Sequence, residues 1–323
     1  MIVGVSPAIR RAIALAERYA RTRLAVLIVG ATGTGKELLA QHIHERSGRP
    51  GLLVDVNCCA LPRDMVESLL FGHRRGAFTG AVDSTIGHLE RSDGGTIFLD
   101  EVTSLAVEAQ GKLLRTLETG EVQPLGAAAK RRLDLRVIAA AQDDIQPAVQ
   151  TGRFRRDLFQ RLAGVVIELP PLKARPEDVL PLASHFAALQ GRRLEPGVER
   201  VLLNYTWPGN IRELRLTIER AAELVDNGTL PPGALAEAII LGGVAIADAT
   251  QASEERAAFA RLCESHEWQG GEIARALGIS RTTLHRRLRE LGLSLRQAKK
   301  YHFVPRCAEQ SDSTEAQLFR HLS

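Results

Sequence analysis

The stretch Gly30-Ala31-Thr32-Gly33-Thr34-Gly35-Lys36 follows an aliphatic run, Leu24 to Val29, and opens a helical pattern over Lys36 to Glu45. A glycine loop between a strand and a helix lets backbone N–H groups turn inward around phosphate oxygens. The helix N-terminus adds partial positive charge, and a lysine at this position extends to the β- and γ-phosphates. A glycine turn with an incidental lysine is the weaker interpretation, because strand and helix flank the loop in the required order. The sequence therefore predicts a nucleotide phosphate site.

Short aliphatic segments alternate with helical patterns along the first half of the chain. Strands are predicted at Leu53 to Val56, Thr96 to Leu99, Leu135 to Ala140 and Val165 to Leu169, and helices at Ser6 to Arg21 and Val107 to Leu117. This alternation indicates a parallel α/β sheet. From Glu177 to about Ala238 only helical periods are visible, and Gly242 to Ser253 is small and weakly patterned, which is typical of a linker.

The composition, 45% hydrophobic and 25% charged, excludes wholesale disorder. Four scattered cysteines with no Cys-x-x-Cys pair exclude a disulfide scaffold and argue against structural zinc. The longest apolar stretch, Ala238 to Ala247, is shorter than the ~20 residues of a membrane-crossing helix. We therefore expect a cytoplasmic protein with no membrane partner.

The predicted strand that begins at Thr96 ends in two carboxylates, Asp100 and Glu101. In nucleotide hydrolases with a phosphate loop, an aspartate at such a strand tip holds magnesium, so Asp100 is predicted to bind Mg²⁺ of Mg-ATP. The adjacent Glu101 is suited to activate the attacking water. The residue after the lysine is Glu37 rather than Ser or Thr, so the usual hydroxyl ligand of magnesium is missing there.

Two further segments have less specific patterns. The segment Gly152 to Arg161 is rich in arginine, and Arg155 and Arg161 are candidates for arginine fingers supplied to a neighbouring subunit; a solvated helix face is the alternative. The segment Phe71 to Ala81 places Phe78 among glycines and alanines, as either a buried packing aromatic or a loop that presents Phe78 and Thr79 to a partner.

The segment Gly271 to Leu291 fits a helix-turn-helix with Ser280 as the cap of its second helix. Its outward residues, which are suited to contact bases or phosphates, are Arg281, Thr282, His285, Arg286 and Arg289. The segment Gly271 to Lys300 has a net charge of +6, although the whole chain has +4. This concentration of charge favours a DNA-binding module over an ordinary basic surface helix.

Three motifs together resemble the bacterial enhancer-binding proteins, the AAA+ activators of sigma-54 RNA polymerase. The sigma-contacting loop of that family is matched without change by Gly76-Ala77-Phe78-Thr79-Gly80-Ala81, and Asp93 to Glu101 and Trp207 to Leu214 match closely. The resemblance runs from Ile2 to about Leu293. It implies an α/β AAA+ P-loop fold with a parallel sheet, a helical lid, a Fis-type helix-turn-helix, and a ring, most simply a hexamer. It further implies ATP and Mg²⁺ as cofactors, and sigma-54 RNA polymerase holoenzyme and double-stranded enhancer DNA as partners.

By this resemblance several residues take expected roles at the nucleotide. Asn57 is the switch residue that senses the γ-phosphate through Glu101, Arg155 and Arg161 act in trans, and Arg212 is the second sensor in the lid. The nucleotide contacts expected along the phosphate loop are Gly30, Ala31, Thr32, Gly33, Thr34, Gly35, Lys36 and Glu37. The family's first sensor motif usually reads Thr-Asn, and this sequence has Ala141-Gln142 in its place. The glutamine keeps the amide group of asparagine and adds one methylene. Position 31 departs from the usual Glu or Ser, whereas Glu37 agrees with the family.

The resemblance also predicts the division of the chain. We expect an α/β ATPase subdomain at 1–170, a helical lid at 171–241, a linker at 242–253, a DNA-binding domain at 254–293 and a polar tail at 294–323. Because Met1 falls at the start of the ATPase region, we expect no regulatory domain in this chain, and a separate regulatory protein is one way to control it.

Two other functions fit parts of the sequence. One is a DNA-binding regulator that binds ATP without turnover, for which Gln142 is the best support. The other is a AAA+ motor that handles DNA, such as a helicase loader, against which the intact sigma-contacting loop argues.

Overall fold

The computed structural model describes residues 2–142, 145–226 and 228–242. The strands are β1 (Val26–Val29), β2 (Leu53–Asn57), β3 (Thr96–Asp100), β4 (Glu121–Val122), β5 (Arg131–Arg132), β6 (Arg136–Ala141), β7 (Val165–Glu168), β8 (Arg193–Leu194) and β9 (Thr229–Leu230). The α-helices are α1 (Pro7–Ala20), α2 (Lys36–Ser47), α3 (Val66–Phe71), α4 (His88–Arg91), α5 (Val107–Thr119), α6 (Ile145–Gln150), α7 (Arg156–Leu162), α8 (Val179–Leu189), α9 (Val198–Asn204) and α10 (Asn210–Glu223). Residues 232–242 form a further helix.

Five strands form one parallel sheet in the order β2-β3-β6-β1-β7. The predicted parallel α/β sheet is confirmed. Strand β6 lies between β1 and β3, with Ala141 paired to Val29 and Ala139 paired to Leu99. The carboxyl ends of β1, β6 and β3 are therefore neighbours, and ligands of open α/β sheets bind beyond such ends.

Both faces of this sheet are covered, which explains the unbroken aliphatic run in β1. Leu27 packs in one cluster with Leu113 of α5 and Leu158 of α7. Its neighbour Ile28 packs in the other cluster, with Ile9 of α1 and other residues of α1 and α2. The predicted helix start is also confirmed, since the Ser6 side chain caps α1 by accepting a hydrogen bond from the Ile9 N–H at 3.3 Å.

A separate cluster forms from α8, α9, α10 and the helix at 232–242. Trp207 is 2% exposed, donates from Nε1 to the Leu202 carbonyl at 2.8 Å and meets the Tyr205 ring edge-on. The prediction of helices alone is wrong in one detail, because β8 and β9 pair in parallel within this region. Strands of two residues are too short to show a periodic pattern in the sequence.

The predicted linker from position 243 onward, the helix-turn-helix and the polar tail lie outside the described residues. The domain boundaries stay predictions. Within the ranges that the structure does describe, no helix is both long and apolar enough to cross a bilayer.

Candidate active site

The phosphate loop, residues 30–36, follows β1 and leads into α2. Gly33 and Gly35 have φ angles of 78° and 104°, a region that side chains other than glycine rarely adopt. At Gly30 a Cβ would lie 2.6 Å from the Leu169 carbonyl oxygen, so no larger residue fits without movement. Gly35 is the N-cap residue of α2 and has no side chain that could accept a hydrogen bond from the helix. The first N–H groups of α2 are therefore left to bind an anion.

Lys36 is the cation of this loop and is only 6% exposed. Its Nζ donates to the Gly30 carbonyl at 2.8 Å and to the Ala31 carbonyl at 3.4 Å. A buried ammonium is costly unless an opposite charge compensates it. The loop, the helix start and this lysine therefore fit a bound polyphosphate.

The two predicted acids lie at the end of β3. Asp100 Oδ1 accepts a hydrogen bond from the Glu101 N–H at 3.0 Å. Glu101 has a φ of 51°, a left-handed conformation that costs free energy in a residue with a side chain. Gln142 Nε2 donates to Glu101 Oε1 at 3.3 Å and to Thr32 Oγ1 at 3.4 Å. The Gln142 side chain thus bridges the acid and the phosphate loop.

Asn57 lies at the end of β2, in register with Asp100. Its Oδ1 accepts hydrogen bonds from the backbone N–H groups of Cys59 at 3.0 Å and Ala60 at 3.3 Å. Within the described residues, no hydrogen bond joins Asn57 to Glu101. The glutamate is contacted by Gln142 instead, and the expected switch contact of Asn57 stays a prediction.

A further carboxylate near the site belongs to Asp55, which was not predicted from the sequence. Burial, followed by the negative charges of Glu37 and Asp100, raises the pKa of Asp55. Asp55 therefore adds negative charge near Asp100, but within the described part of the chain no three acidic, histidine or cysteine side chains lie close enough together to hold a metal ion. Alternation in β2 puts Asp55 and Asn57 on one side of the strand, which is the signal that could have indicated Asp55.

The segment around α10 contacts the phosphate loop directly. Asn210 Nδ2 donates to the Thr32 carbonyl at 2.9 Å, and the Ile211 N–H donates to the Gly33 carbonyl at 2.9 Å. Arg212 lies beside this contact, since a Cβ added at Gly33 would lie 3.2 Å from its Cβ. Arg212 was predicted from the sequence, whereas Asn210, whose φ of 54° is also left-handed, was not.

An apolar cavity of about 70 Å³ lies next to this loop. Side chains from the first residues of the chain, α2, α8 and α10 surround it, and they include Ile2, Val3, Leu38, His185, Phe186 and Ile211. Arg175 also lines it, and the Nε of Arg175 is buried with no hydrogen-bond partner. The apolar side chains beside the phosphate loop form a surface of the kind against which a planar base packs. No motif marks these residues in the sequence, because they are distant along the chain.

The two candidate arginine fingers lie at the two ends of α7, with Arg155 as its N-cap and Arg161 in its last turn. Arg155 forms an ion pair with Asp157, with Nη2 to Oδ2 at 2.7 Å. Arg161 donates from Nη2 to the Leu117 carbonyl at 2.6 Å and lines a cavity of about 720 Å³. That cavity is bounded by Ala25 and Gly164, which directly precede β1 and β7. Arg161 therefore lies at the opposite edge of the sheet from the phosphate loop of its own chain.

The predicted sigma-contacting loop lies between His73 and Thr85, which pair with each other. Phe78 is 41% exposed and its ring meets that of His73 at 5.0 Å. Gly76 and Gly80 have φ angles of 78° and 96°, and an added Cβ would meet nothing within 4 Å at either position. The interpretation of Phe78 as a buried packing aromatic is wrong, because much of its ring is open to solvent.

Comparison with known proteins places three families on the chain. Residues 2–168 match the Sigma-54 interaction domain, residues 173–252 match the AAA+ ATPase lid domain, and residues 263–296 match the bacterial regulatory proteins of the Fis family. The candidate DNA contacts from Arg281 to Arg289 fall inside the third match and outside the described residues.

Curated relatives include two kinds of regulator. The nitric oxide reductase transcription regulator NorR2 of Cupriavidus necator is 40% identical over 328 residues, covering 90% of this chain and 63% of the relative. The Nif-specific regulatory protein of Klebsiella pneumoniae is 40% identical over 299 residues, covering 86% of this chain and 56% of the relative. The chain thus spans less than two thirds of the length of these relatives.

Solved structures agree on the fold. NtrX from Brucella abortus in complex with ATP is 29% identical with a TM-score of 0.67, covering 91% of this chain and 70% of that one. A point mutant of RuvB from Thermotoga maritima is 16% identical with a TM-score of 0.54, covering 88% of this chain and 85% of that one. The second likeness concerns the fold alone.

Proposed function

Because the chain belongs to the Sigma-54 interaction domain family, we propose that it is an ATPase that activates transcription by sigma-54 RNA polymerase. The observation that carries this proposal is the pairing of two sites in one α/β unit. One is a phosphate loop beside Glu101, and the other is the exposed Gly76–Ala81 loop. Hydrolysis at the first would move the second against the polymerase.

In this proposal each residue at the sheet edge has a separate task. Lys36 and the α2 N-terminus hold the β- and γ-phosphates, as charge and dipole favour. Asp100 would hold Mg²⁺, which would neutralise the charge that develops on the phosphates. Glu101 accepts the proton of the attacking water, and Gln142 orients its carboxylate through Nε2. Asn57 acts as the switch residue and Arg212 as the lid sensor of the γ-phosphate.

Two observations support ATP as the nucleotide that the phosphate loop binds. The apolar side chains beside the loop offer a surface against which a base can pack, and the similar NtrX structure is of a complex with ATP. An ATPase assay on the purified chain, with Glu101→Gln as the inactive reference, tests the proposal against the alternative of a regulator without turnover.

The alternative of a regulator that binds ATP without turnover relied on Gln142, and the contacts of Gln142 weaken that support. The longer side chain reaches both Glu101 and Thr32, so the substitution does not disconnect the first sensor from the site. The second alternative, a motor that handles DNA, does not account for the exposed Phe78 in an intact sigma-contacting loop.

We further propose a ring, most simply a hexamer, in which Arg155 and Arg161 complete the site of a neighbour. The placement of Arg161 at the far edge of the sheet supports action on another subunit. Arginine fingers supplied in trans stabilise charge in phosphoryl transfer.

Subunit mixing tests this arrangement. Arg155→Ala and Arg161→Ala should each be inactive alone, since an arginine finger contributes on the order of 10³-fold or more to hydrolysis. Mixed with Glu101→Gln subunits, either variant should recover measurable ATPase, because an intact acid then faces an intact arginine at some interfaces. The absence of recovery at every mixing ratio would show that the arginines act within one subunit or only hold structure.

The carboxy-terminal part is proposed to bind enhancer DNA as a Fis-type module. The family match at 263–296 and the local charge of +6 support this. The chain would then act in the cytoplasm at the nucleoid, with boundaries at 170, 241, 253 and 293 between its parts, and a separate regulatory protein would be one means of control.

Arg286→Ala should weaken enhancer binding and leave the basal ATPase rate unchanged, since it lies beyond the proposed linker. If Arg286 contacts bases, the loss on the specific site should exceed the loss on random DNA by ~1–3 kcal/mol. If it contacts phosphates alone, both affinities should fall equally. Titrations on both DNAs at one salt concentration measure the difference, and unchanged binding to both would remove Arg286 from the interface.

A further inference from the structure

Two opposite charges, Arg175 and Asp178, are buried beside the phosphate loop, at 1% and 0% exposure. Burial of an ion pair costs free energy and is weak evidence of a contribution to stability. The approach of Arg175 Nη1 to Asp178 Oδ2 is also long, at 3.7 Å. The ion pair alone therefore does not account for the burial of these two charges, and each of them also holds a further group.

Arg175 holds the phosphate loop. Its Nη2 donates to the Thr34 carbonyl at 3.0 Å, and Thr34 itself is 2% exposed. Thr34 immediately precedes Gly35, the cap residue of α2. Burial lowers the pKa of Arg175, and Asp178 opposes that shift. The guanidinium thus fixes the backbone at the point where the loop passes into the helix that faces the phosphates.

Asp178 holds the amino-terminal segment, residues 2–6. Its Oδ1 accepts from the Val5 N–H at 2.5 Å and the Ser6 N–H at 2.7 Å, and its Oδ2 accepts from the Ser6 hydroxyl at 2.7 Å. The fit is close, because a Cβ at Gly4 would lie 2.7 Å from the Ile9 side chain. The carboxylate therefore has these donors only when this segment is in place.

The same segment contacts the nucleotide site at a second point. Ile2 and Val3 form part of the wall of the apolar cavity that Arg175 also lines. A movement of residues 2–6 would change both the cavity wall and the donors on Asp178.

We propose that Arg175 is a positioning residue for the phosphate loop, and that Asp178 makes its position depend on the amino-terminal segment. Displacement of the segment withdraws donors from Asp178, shifts Arg175 and releases the Thr34 carbonyl, so that ATP affinity falls. Nucleotide binding thereby depends on whether residues 2–6 are held in place. This inference rests on the proposed function, because it takes ATP as the ligand of the loop.

Calorimetric titration with ATP tests the inference on the full chain in a Glu101→Gln background, which prevents turnover. Ser6→Ala should weaken ATP binding about fivefold, since the hydrogen bond from the Ser6 hydroxyl to the charged Asp178 is lost together with the side-chain cap of α1. Ser6→Thr keeps the hydroxyl and should restore affinity. Thr22→Ala is the matched control, because it removes one hydrogen bond, to the Tyr19 carbonyl, at the other end of α1.

A double-mutant cycle then separates positioning from general stability. Arg175→Lys should weaken ATP binding about tenfold, since lysine lacks the guanidinium fork. Adding Ser6→Ala to Arg175→Lys should lower ATP affinity little further, because both substitutions act through the Thr34 carbonyl. Additive losses, or an equal loss with Thr22→Ala, would overturn the inference, as would unchanged affinity in Ser6→Ala. If the Glu101→Gln chain itself binds no ATP, the proposed function fails instead.

Discussion

Lys36→Ala should abolish measurable ATP binding, with an affinity loss of at least about 100-fold, or about 3 kcal/mol. The lysine is buried and directed at the Gly30 and Ala31 carbonyls, so its charge lies inside the loop that is proposed to surround the phosphates. Glu101→Gln should bind ATP normally and lose hydrolysis by about 10²–10⁴-fold, because the amide cannot accept the proton of water. Titration and a steady-state ATPase assay on both variants measure this contrast.

A matched control is available at Lys130, which is exposed and paired with Glu121 at 3.3 Å. Lys130→Ala removes the same charge and should leave ATP affinity unchanged. Equal affinity in wild type and Lys36→Ala would contradict the assignment of the phosphate loop.

Thr79→Ala should keep ATP hydrolysis and ring assembly and fail to open a sigma-54 promoter. Among the described residues the Thr79 hydroxyl makes no hydrogen bond, so its loss should not disturb the fold. The glycines at positions 76 and 80 stay in place and preserve the backbone of the loop. Three measurements on the purified variant are needed: the ATPase rate, the oligomer mass and open-complex formation.

Ser84→Ala serves as the control at the base of the same loop, where the Ser84 hydroxyl accepts a hydrogen bond from the Arg75 N–H at 3.0 Å. It should retain promoter opening. If Thr79→Ala opens the promoter at the wild-type level, the loop is not the coupling element. If its hydrolysis collapses as well, Thr79 supports the active site, and the separation of chemistry from coupling is wrong.

The sequence predicted those elements whose conformation depends on residues that are neighbours along the chain. The phosphate loop is specified by glycines that must adopt positive φ, and β1 by a run that is buried on both faces. Observed bounds differ from predicted ones by one or two residues, as for α2, which ends at Ser47 rather than Glu45.

What the sequence did not reveal depends on residues that are distant along the chain. The Asn210 amide meets the Thr32 carbonyl across 178 positions, and Arg175 meets Thr34 across 141. The cavity wall formed by Ile2 and Val3 likewise exists only after the chain folds. Gln142 is a mixed case, since its position was predicted but its contact with Glu101 required the order of strands β3, β6 and β1.

Open-complex formation on a sigma-54 promoter tests the central claim most directly. Purified chain, sigma-54 RNA polymerase holoenzyme and promoter DNA are combined with ATP or with a non-hydrolysable analogue, and single-stranded promoter DNA is detected by chemical footprinting. The promoter should open when ATP is the nucleotide. It should stay closed with the analogue, and also when Glu101→Gln replaces the wild-type chain. Opening that is equal with the analogue, or absent with ATP while hydrolysis proceeds, would contradict the claim that this chain couples ATP hydrolysis to promoter opening.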